Sequence, residues 1–224
     1  MVKFSYYGHS AFLLDDGKYK VLVDPFITGN PKATVKAENV KCDFVLVSHA
    51  HGDHLGNAPE IAYNNGAAIV TTPEVVSEAE SIGRLTCHPM NLGGSLDLPF
   101  GRVRMTPALH SAGVPGGIAC GFVINIGGLN LYYAGDTALF SDMQLIGQRD
   151  RIDYAVLPIG DNYTMGIEDA AQAAKLLGAK KIIPVHYNTW PVIEQDAQEF
   201  KVLAEKETQA EVLIVEPGET LELN

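Results

Sequence analysis

Short apolar runs, rich in β-branched and aromatic residues and bounded by turn residues, recur along the chain and predict strands. The predicted strands cover residues 4–7, 11–14, 20–23, 44–47, 68–70, 103–106, 121–126, 129–133, 154–157, 182–185 and 212–215. Other segments have helical spacing, and proline or acidic residues mark several of their starts. The predicted helices cover residues 59–64, 73–82, 141–147, 167–177 and 196–206. Gly127-Gly128 predicts a hairpin turn, and Gly178 predicts a helix C-cap.

The order of these elements predicts a single mixed α/β domain over residues 1–224, because the pattern shows no repeat, linker or low-complexity segment. Apolar residues make up 46% of the chain and charged residues 19%, which is typical of a folded protein with a real core.

The charge of the chain bears on its partners. Sixteen lysines and arginines against 27 acidic residues give a net charge of −11 with neutral histidine, so nucleic-acid binding is not expected. Three cysteines without a C-x-x-C pair indicate neither a disulfide framework nor a thiolate zinc site. No apolar stretch resembles a secretory signal or a membrane span, so we expect a cytoplasmic protein that does not bind membranes.

The strongest chemical signal is a cluster of side chains directly after the apolar run 44–47. The segment Ser48-His49-Ala50-His51-Gly52-Asp53-His54 offers four metal-ligand side chains within six residues. Imidazole nitrogen and carboxylate oxygen are ligands that a zinc-like cation takes, and a loop can fold several of them around one point. The cluster therefore predicts a metal site.

Three more candidate ligands each follow a predicted strand: His110, Asp136 and His186. Taken singly, each has a simpler explanation, since an isolated buried histidine is usually a hydrogen-bonded core group and Gly135-Asp136-Thr137 could be a turn. Their shared placement at strand ends, together with the cluster, favours the metal interpretation, because strand ends of packed sheets converge on one edge.

The pattern His-x-His-x-Asp-His, followed by a distant His, a Gly-Asp-Thr and a final His, resembles the metallo-β-lactamase superfamily. Three further segments resemble its UPF0173 metal-dependent hydrolase subgroup, which is related to the ascorbate-6-phosphate lactonases. They are Tyr7-Gly8-His9-Ser10-Ala11-Phe12, Pro158-Ile159-Gly160-Asp161-Asn162 and His186-Tyr187-Asn188-Thr189.

The resemblance implies a four-layer αβ/βα sandwich, an α/β fold with the metals at one edge between two sheets. It implies one metal held by His49, His51 and His110, and a second held by Asp53, His54 and His186. Asp136 would bridge the two metals. Two cations that share a water lower its pKa and supply hydroxide as a nucleophile, and Asp53 would orient that water or accept its proton.

Departures from related patterns narrow the chemistry. No cysteine stands where some metallo-β-lactamases use one as a ligand, and His51 stands where flavodiiron proteins carry Glu. Hydrolysis is therefore favoured over redox chemistry.

Residues outside the ligand set are candidates for contact with substrate. His9 is expected to face the substrate or to lie behind the ligands, with a simple turn histidine as the alternative. Asp161, Asn162 and Asn188 follow a predicted strand or the last ligand and are candidate pocket residues, although Asp161-Asn162 could equally form a polar turn.

The function expected from these observations is hydrolysis of a small ester, lactone or phosphodiester at a dinuclear centre. The alternatives are a metal-dependent nuclease of the same fold and a binding domain that no longer catalyses. Zinc is the first choice of metal, and manganese, iron and nickel are compatible with nitrogen and oxygen ligands. The sequence leaves a homo-oligomer open.

Overall fold

The computed structural model describes residues 1–80 and 85–224, and in this part of the chain two seven-stranded sheets form. The strands are, in chain order, β1 (Val2–Gly8), β2 (Ala11–Asp15), β3 (Lys20–Val23), β4 (Phe44–Leu46), β5 (Ala68–Thr71), β6 (Thr86–Pro89), β7 (Ser95–Leu98), β8 (Gly101–Pro107), β9 (Cys120–Ile126), β10 (Leu129–Tyr133), β11 (Tyr154–Pro158), β12 (Lys181–Val185), β13 (Glu211–Val212) and β14 (Thr220–Leu223). The helices are α1 (Gly52–Leu55), α2 (Ala58–Asn65), α3 (Pro73–Ala79), α4 (Met143–Asp150), α5 (Ile167–Leu177) and α6 (Ala197–Glu207).

The two sheets share one plan. The first runs β14-β1-β2-β3-β4-β5-β6, and the second runs β13-β12-β11-β10-β9-β8-β7. Each combines antiparallel hairpins with parallel strands, namely β3 to β6 in the first sheet and β10 to β13 in the second. The hairpin between β9 and β10 turns at Gly127 and Gly128, both with positive φ, which confirms the predicted turn.

Three apolar clusters hold the layers together. Between the sheets, Phe12 and Leu46 of the first sheet share a buried cluster with Phe122 and Val156 of the second. On the outer faces, α2 and α3 pack on the first sheet, and α4, α5 and α6 pack on the second. Because a fully buried large apolar side chain contributes roughly 1.5–3 kcal/mol, these clusters stabilise the layered arrangement. The α/β sandwich predicted from the sequence is confirmed.

Most predicted elements are present, and the differences lie at edges and short segments. The sequence prediction missed β6, β7 and β14, which are edge strands with exposed polar positions, and it missed the single-turn helix α1. The predicted strand 212–215 is wrong beyond residue 212, because β13 covers only Glu211–Val212 before the chain leaves the second sheet. The predicted helix 73–82 ends at Ala79, and residues 81–82 lie outside the described residues.

Among the residues described, no helix has both the length and the apolar character needed to cross a bilayer. The helices α5 and α6 have 11 residues each, whereas a membrane-spanning helix needs about 20.

Candidate metal centre

The predicted ligands follow the ends of four different strands, and these ends lie at one edge of the sandwich. The His-x-His-x-Asp-His cluster follows β4 and continues into α1, which begins at Gly52. The other predicted ligands follow the ends of β8, β10 and β12, and they are His110, Asp136 and His186. All seven side chains meet in two adjacent groups around Asp136.

The first group consists of three imidazole nitrogens. His49 Nε2 lies 2.9 Å from His51 Nδ1, and His110 Nε2 lies 3.3 Å from the same atom. Two nitrogens bound to one tetrahedral zinc ion, each at about 2.0–2.1 Å, lie roughly 3.4 Å apart. The spacing therefore matches a single cation site.

The second group combines a carboxylate with two imidazoles. Asp53 Oδ2 lies 3.9 Å from both His54 Nε2 and His186 Nε2. His9 belongs to the same group, because one ligand atom of each of these four residues lies within 4.8 Å of the others.

Asp136 lies between the two groups. Its Oδ1 is 3.2 Å from His54 Nε2 and its Oδ2 is 3.0 Å from His186 Nε2, so both oxygens face the second group. Oδ2 is also 3.7 Å from His110 Nε2 of the first group. This buried carboxylate is thus in a position to contact cations in both groups.

Several buried polar atoms of the site make no well-aligned hydrogen bond in the described part of the chain, although His54 Nε2 and His186 Nε2 lie 3.2 Å and 3.0 Å from the oxygens of Asp136. They are His54 Nε2, Asp136 Oδ1, and both ring nitrogens of His186. A buried polar atom left unpaired costs about 1–3 kcal/mol, so such a concentration of them calls for a missing partner. Because the atoms are neutral imidazole nitrogen and carboxylate oxygen, the donor set fits a divalent cation.

A further buried carboxylate, Asp24, fixes the orientation of two histidines. Its Oδ2 accepts from His54 Nδ1 at 2.7 Å and from the hydroxyl of Ser48 at 2.5 Å. The Ser48 oxygen in turn accepts from His49 Nδ1 at 2.9 Å. With the proton on Nδ1, each neutral histidine presents an unprotonated Nε2 to its group, which is the form that binds a metal.

The charges of the site favour ionised carboxylates. Burial acts to raise the pKa of Asp136, but the positive charges of His54 and His186 hold it well below its usual range. Burial acts to lower the pKa of His54. The negative charges of Asp136 and Asp24 outweigh the effect of burial and hold this pKa well above its usual range. A cation bound beside Asp136 would supply the same positive charge and leave His54 neutral. At His49, burial and then the neighbouring His54 lower the pKa, which favours the neutral ligand form.

His9 lies behind Asp53. The side chain of His9 is fully buried, and its Nε2 donates to Asp53 Oδ2 at 3.2 Å, since a carboxylate only accepts. Its Nδ1 then accepts from the hydroxyl of Thr189 at 2.8 Å. Burial lowers the pKa of His9 to about 4, so the ring is neutral at pH 7. His9 thus contacts Asp53 and Thr189 with its two ring nitrogens, and its role behind the ligands or toward substrate stays a prediction.

Strained backbone is concentrated at this edge of the fold. Seven non-glycine residues of the described chain have positive φ, between 40° and 60°. One of them, Arg151, caps α4. The other six lie on the loops that carry or adjoin the site: His9, Asp24, Asp161, Asn162, His186 and Asn188. Such strain persists where the surrounding structure holds functional side chains in place.

A cleft of about 380 Å³ opens over the two groups. Besides the predicted ligands His51, Asp53, His110, Asp136 and His186, its lining includes Ser111, Tyr163 and Trp190. Asp53 is a quarter exposed, which makes it accessible to a molecule in the cleft.

The candidate pocket residues lie at or beyond the rim of this cleft. Asp161 and Asn162 are exposed and form a polar turn, and neither side chain lines the cleft. Asn188 accepts from the backbone of Gln195 at 2.8 Å and borders a separate small cavity on the far side of His9. Contact of these three residues with substrate stays a prediction.

Sequence reasoning missed Asp24, Thr189, Tyr163 and Trp190. Asp24 directly follows β3, so it carries the same strand-end signal as the predicted ligands. Thr189 stands at the end of the segment that begins with His186. For Tyr163 and Trp190 no sequence signal existed, because their position over the cleft depends on loop shape.

The chain is similar to proteins of known family over its whole length. The sequence profile described as "Beta-lactamase superfamily domain" matches residues 19–187. The UPF0173 metal-dependent hydrolase of Pelotomaculum thermopropionicum is 49% identical over 230 residues, covering 99% of this chain and 100% of that protein. The UPF0173 metal-dependent hydrolase of Natranaerobius thermophilus is 45% identical and covers 100% of both chains.

A solved structure agrees with these relatives. Igni18, a metallo hydrolase from the archaeon Ignicoccus hospitalis, superposes with a TM-score of 0.91 at 39% identity and covers 100% of this chain and 99% of that chain. The resemblance noted in the sequence is thereby confirmed. The chain belongs to the UPF0173 metal-dependent hydrolases of the β-lactamase superfamily.

Proposed function

We propose that this hydrolase acts on a small ester, lactone or phosphodiester at a dinuclear metal centre. The observation that carries the proposal is the meeting of two ligand groups on Asp136, with buried unpaired ligand atoms, beneath an open cleft. One structural metal would need only four ligands, whereas seven donor residues divide into two groups around a shared carboxylate.

His49, His51 and His110 would hold one divalent cation, and Asp53, His54 and His186 the other, with Asp136 shared between them. Zinc suits these donors, and manganese, iron or nickel would also fit. When bound, the two cations would provide a hydroxide nucleophile near neutral pH and positive charge opposite the developing oxyanion.

Asp53 has the best position to handle the attacking water. It lies in the cleft, while His9 holds it from behind. Burial acts to raise the pKa of Asp53, but the hydrogen bond from His9 and the charge of His54 hold it below its usual range. The ionised carboxylate can therefore orient a water by accepting its hydrogen bond. Asp136 keeps the two cation sites electrically balanced.

The nuclease alternative gains no support from the cleft. Among the described residues, no lysine or arginine lines it, and the whole chain has a net charge of −11. A nuclease must neutralise phosphates to hold a nucleic acid. A small-molecule substrate is accordingly preferred.

The proposed function is tested by metal loading followed by assay. We expect elemental analysis of the zinc-loaded protein to give about two metal ions per chain. A strong chelator should abolish turnover of simple esters or lactones, and added metal should restore it. Loading that never exceeds one ion per chain would contradict the dinuclear centre. Cleavage of oligonucleotides with a specificity constant above those of esters, lactones and small phosphodiesters would favour the nuclease alternative.

A second prediction concerns His9 and the hydrogen bond that it receives from Thr189. His9→Ala should lower kcat by roughly 10- to 100-fold, as is typical when a group that orients a ligand is lost. Metal content should stay unchanged, because the seven other donors remain. His9→Gln, whose amide can reach Asp53, should recover part of the kcat that His9→Ala loses. Thr189→Val should lower kcat less than His9→Ala does.

The control is Thr208→Val at the C-cap of α6, where the threonine hydroxyl bonds to Ala204 O and Ala210 N and to no residue of the site. Loss of one metal ion in His9→Ala would show instead that His9 is itself a ligand, as its membership of the second group would allow.

A further inference from the structure

Two aromatic side chains line the cleft, and the chemistry proposed above assigns neither of them a role. Tyr163 is 55% exposed, and Trp190 is half-buried. Both lie among the candidate ligands on the cleft wall. The exposed ring of Tyr163 is accessible to a molecule in the cleft, and an aromatic ring offers such a molecule a large apolar surface.

The backbone that carries Tyr163 is strained. The two preceding residues, Asp161 and Asn162, have φ of 58° and 46°. Backbone bonds close the turn, since Asp161 N donates to Met165 O at 3.0 Å and Thr164 N donates to Asp161 O at 3.1 Å. Met165 N also donates to Thr137 O at 3.0 Å, which ties the turn to the loop that carries Asp136. The strained turn thus fixes the backbone of Tyr163 beside the centre, so that its side chain borders the cleft.

The ring of Trp190 is held in place by contacts with two other aromatic side chains. Its ring lies 5.0 Å from that of His9 in an edge arrangement and 6.0 Å from that of Phe26. These contacts limit the rotamers of Trp190 before any ligand arrives. An aromatic surface that is already ordered binds a ligand at a lower entropic cost.

Away from the proposed cation sites, the described residues of the cleft offer no lysine or arginine side chain to a negatively charged group. Two of the lining residues, Asp53 and Asp136, are acidic. An anionic group away from the reacting centre would therefore meet aromatic faces and carboxylates. Desolvating such a group without a partner is unfavourable.

We infer that the cleft selects a neutral carboxylic ester or lactone with an aromatic or other apolar acyl group, which Tyr163 and Trp190 contact, over substrates that carry an anionic group away from the reacting bond. This inference rests on the proposed hydrolase function. The reaction breaks the acyl C–O bond, joins the water oxygen to the acyl carbon, and transfers a proton to the departing alcohol.

Three methyl esters with one leaving group separate the contributions: methyl 3-phenylpropionate, methyl acetate and monomethyl succinate. With the zinc-loaded protein, kcat/KM should be highest for the aromatic ester, by on the order of tenfold over the acetate, and lowest for the anionic succinate. Tyr163→Ala should remove most of the aromatic advantage, and Tyr163→Phe should keep it, because the ring and not the hydroxyl makes the contact. Tyr63→Ala is the matched control, since Tyr63 is a 65% exposed tyrosine of α2 that does not line the cleft.

Binding can be followed without turnover, because Trp190 is the only tryptophan of the chain. Titration of the zinc-loaded protein with phenylacetamide, a neutral aromatic amide, should change the Trp190 fluorescence. The dissociation constant should rise several-fold in Tyr163→Ala and stay at the wild-type value in Tyr63→Ala.

The two assays separate failure of this inference from failure of the proposed function. Ester hydrolysis with no aromatic preference, or with equal kinetics in Tyr163→Ala and Tyr63→Ala, would overturn the inference and leave the proposed function intact. If no ester, lactone or phosphodiester is hydrolysed, the proposed function fails. The phenylacetamide titration then decides the aromatic contact alone, and an unchanged fluorescence up to the solubility limit would overturn it.

Discussion

Replacement of Asp136 with alanine is expected to lower kcat by on the order of a thousandfold or more and to reduce bound metal from two ions to about one per chain. Asp136 is the carboxylate that faces both ligand groups, at 3.0 Å from His186 Nε2 and 3.7 Å from His110 Nε2. Without its negative charge, two neighbouring cations would repel each other without compensation. Elemental analysis and steady-state kinetics of the same preparation measure both effects.

Asp136→Asn separates charge from shape, because asparagine keeps the size of the side chain and removes the charge. We expect Asp136→Asn to lose nearly as much activity as Asp136→Ala. Circular dichroism should show that both variants are folded, so that the loss is not one of structure. Wild-type kcat together with two bound ions in either variant would rule out the shared role of Asp136.

Replacement of Asp24 is expected to have the largest effect on stability. Its carboxylate is fully buried and accepts from four donors: Ser48 N, Ser48 Oγ, His54 Nδ1 and Tyr133 OH. Loss of one member of a buried charged network typically costs about 3–5 kcal/mol. In a chain of this length that corresponds to a fall in Tm on the order of 10 °C. Metal affinity should fall as well, by roughly 10- to 100-fold, since His54 and His49 lose their orientation.

Asp24→Asn is the informative variant, because Asp24 has φ of 40° and asparagine tolerates this conformation better than alanine does. Its effect therefore reports the lost charge and hydrogen bonds with little added backbone strain. The control is Asp97→Asn on β7, where the carboxylate is 81% exposed and a change in Tm within about 1 °C is expected. Equal Tm values for Asp24→Asn and wild type would show that the network does not stabilise the fold.

The parts of the fold that could be predicted are those whose apolar pattern is set by burial. The strand 129–133 and the helix 167–177 match β10 and α5 because their apolar residues face closed layers. The edge strands β6 and β7 have exposed or half-buried residues at every position and few β-branched residues, so the local sequence carried little signal. Their pairing with β5 and β8 depends on the rest of the sheet.

The same distinction holds at the site. The seven predicted ligands meet because each follows a strand end, and strand ends of packed sheets share an edge. The strand-end rule also applied to Asp24, which the sequence reasoning overlooked. By contrast, the exposed Tyr163 owes its position to a turn with two left-handed residues, and no periodic pattern encodes such a turn. Loop conformation therefore sets the limit of prediction for substrate recognition.

The pairing of β1 with β14 joins two strands that lie far apart in the sequence, with Val2 opposite Leu223. During synthesis on the ribosome, β1 consequently has one open edge until β14 has left the exit tunnel. His9, next to β1, likewise meets His186 only late, when its carbonyl can accept from the His186 amide at 2.8 Å. The proposed centre can therefore be complete only after His186 has been made, whereas His49, His51 and His110, the first ligand group, are available much earlier.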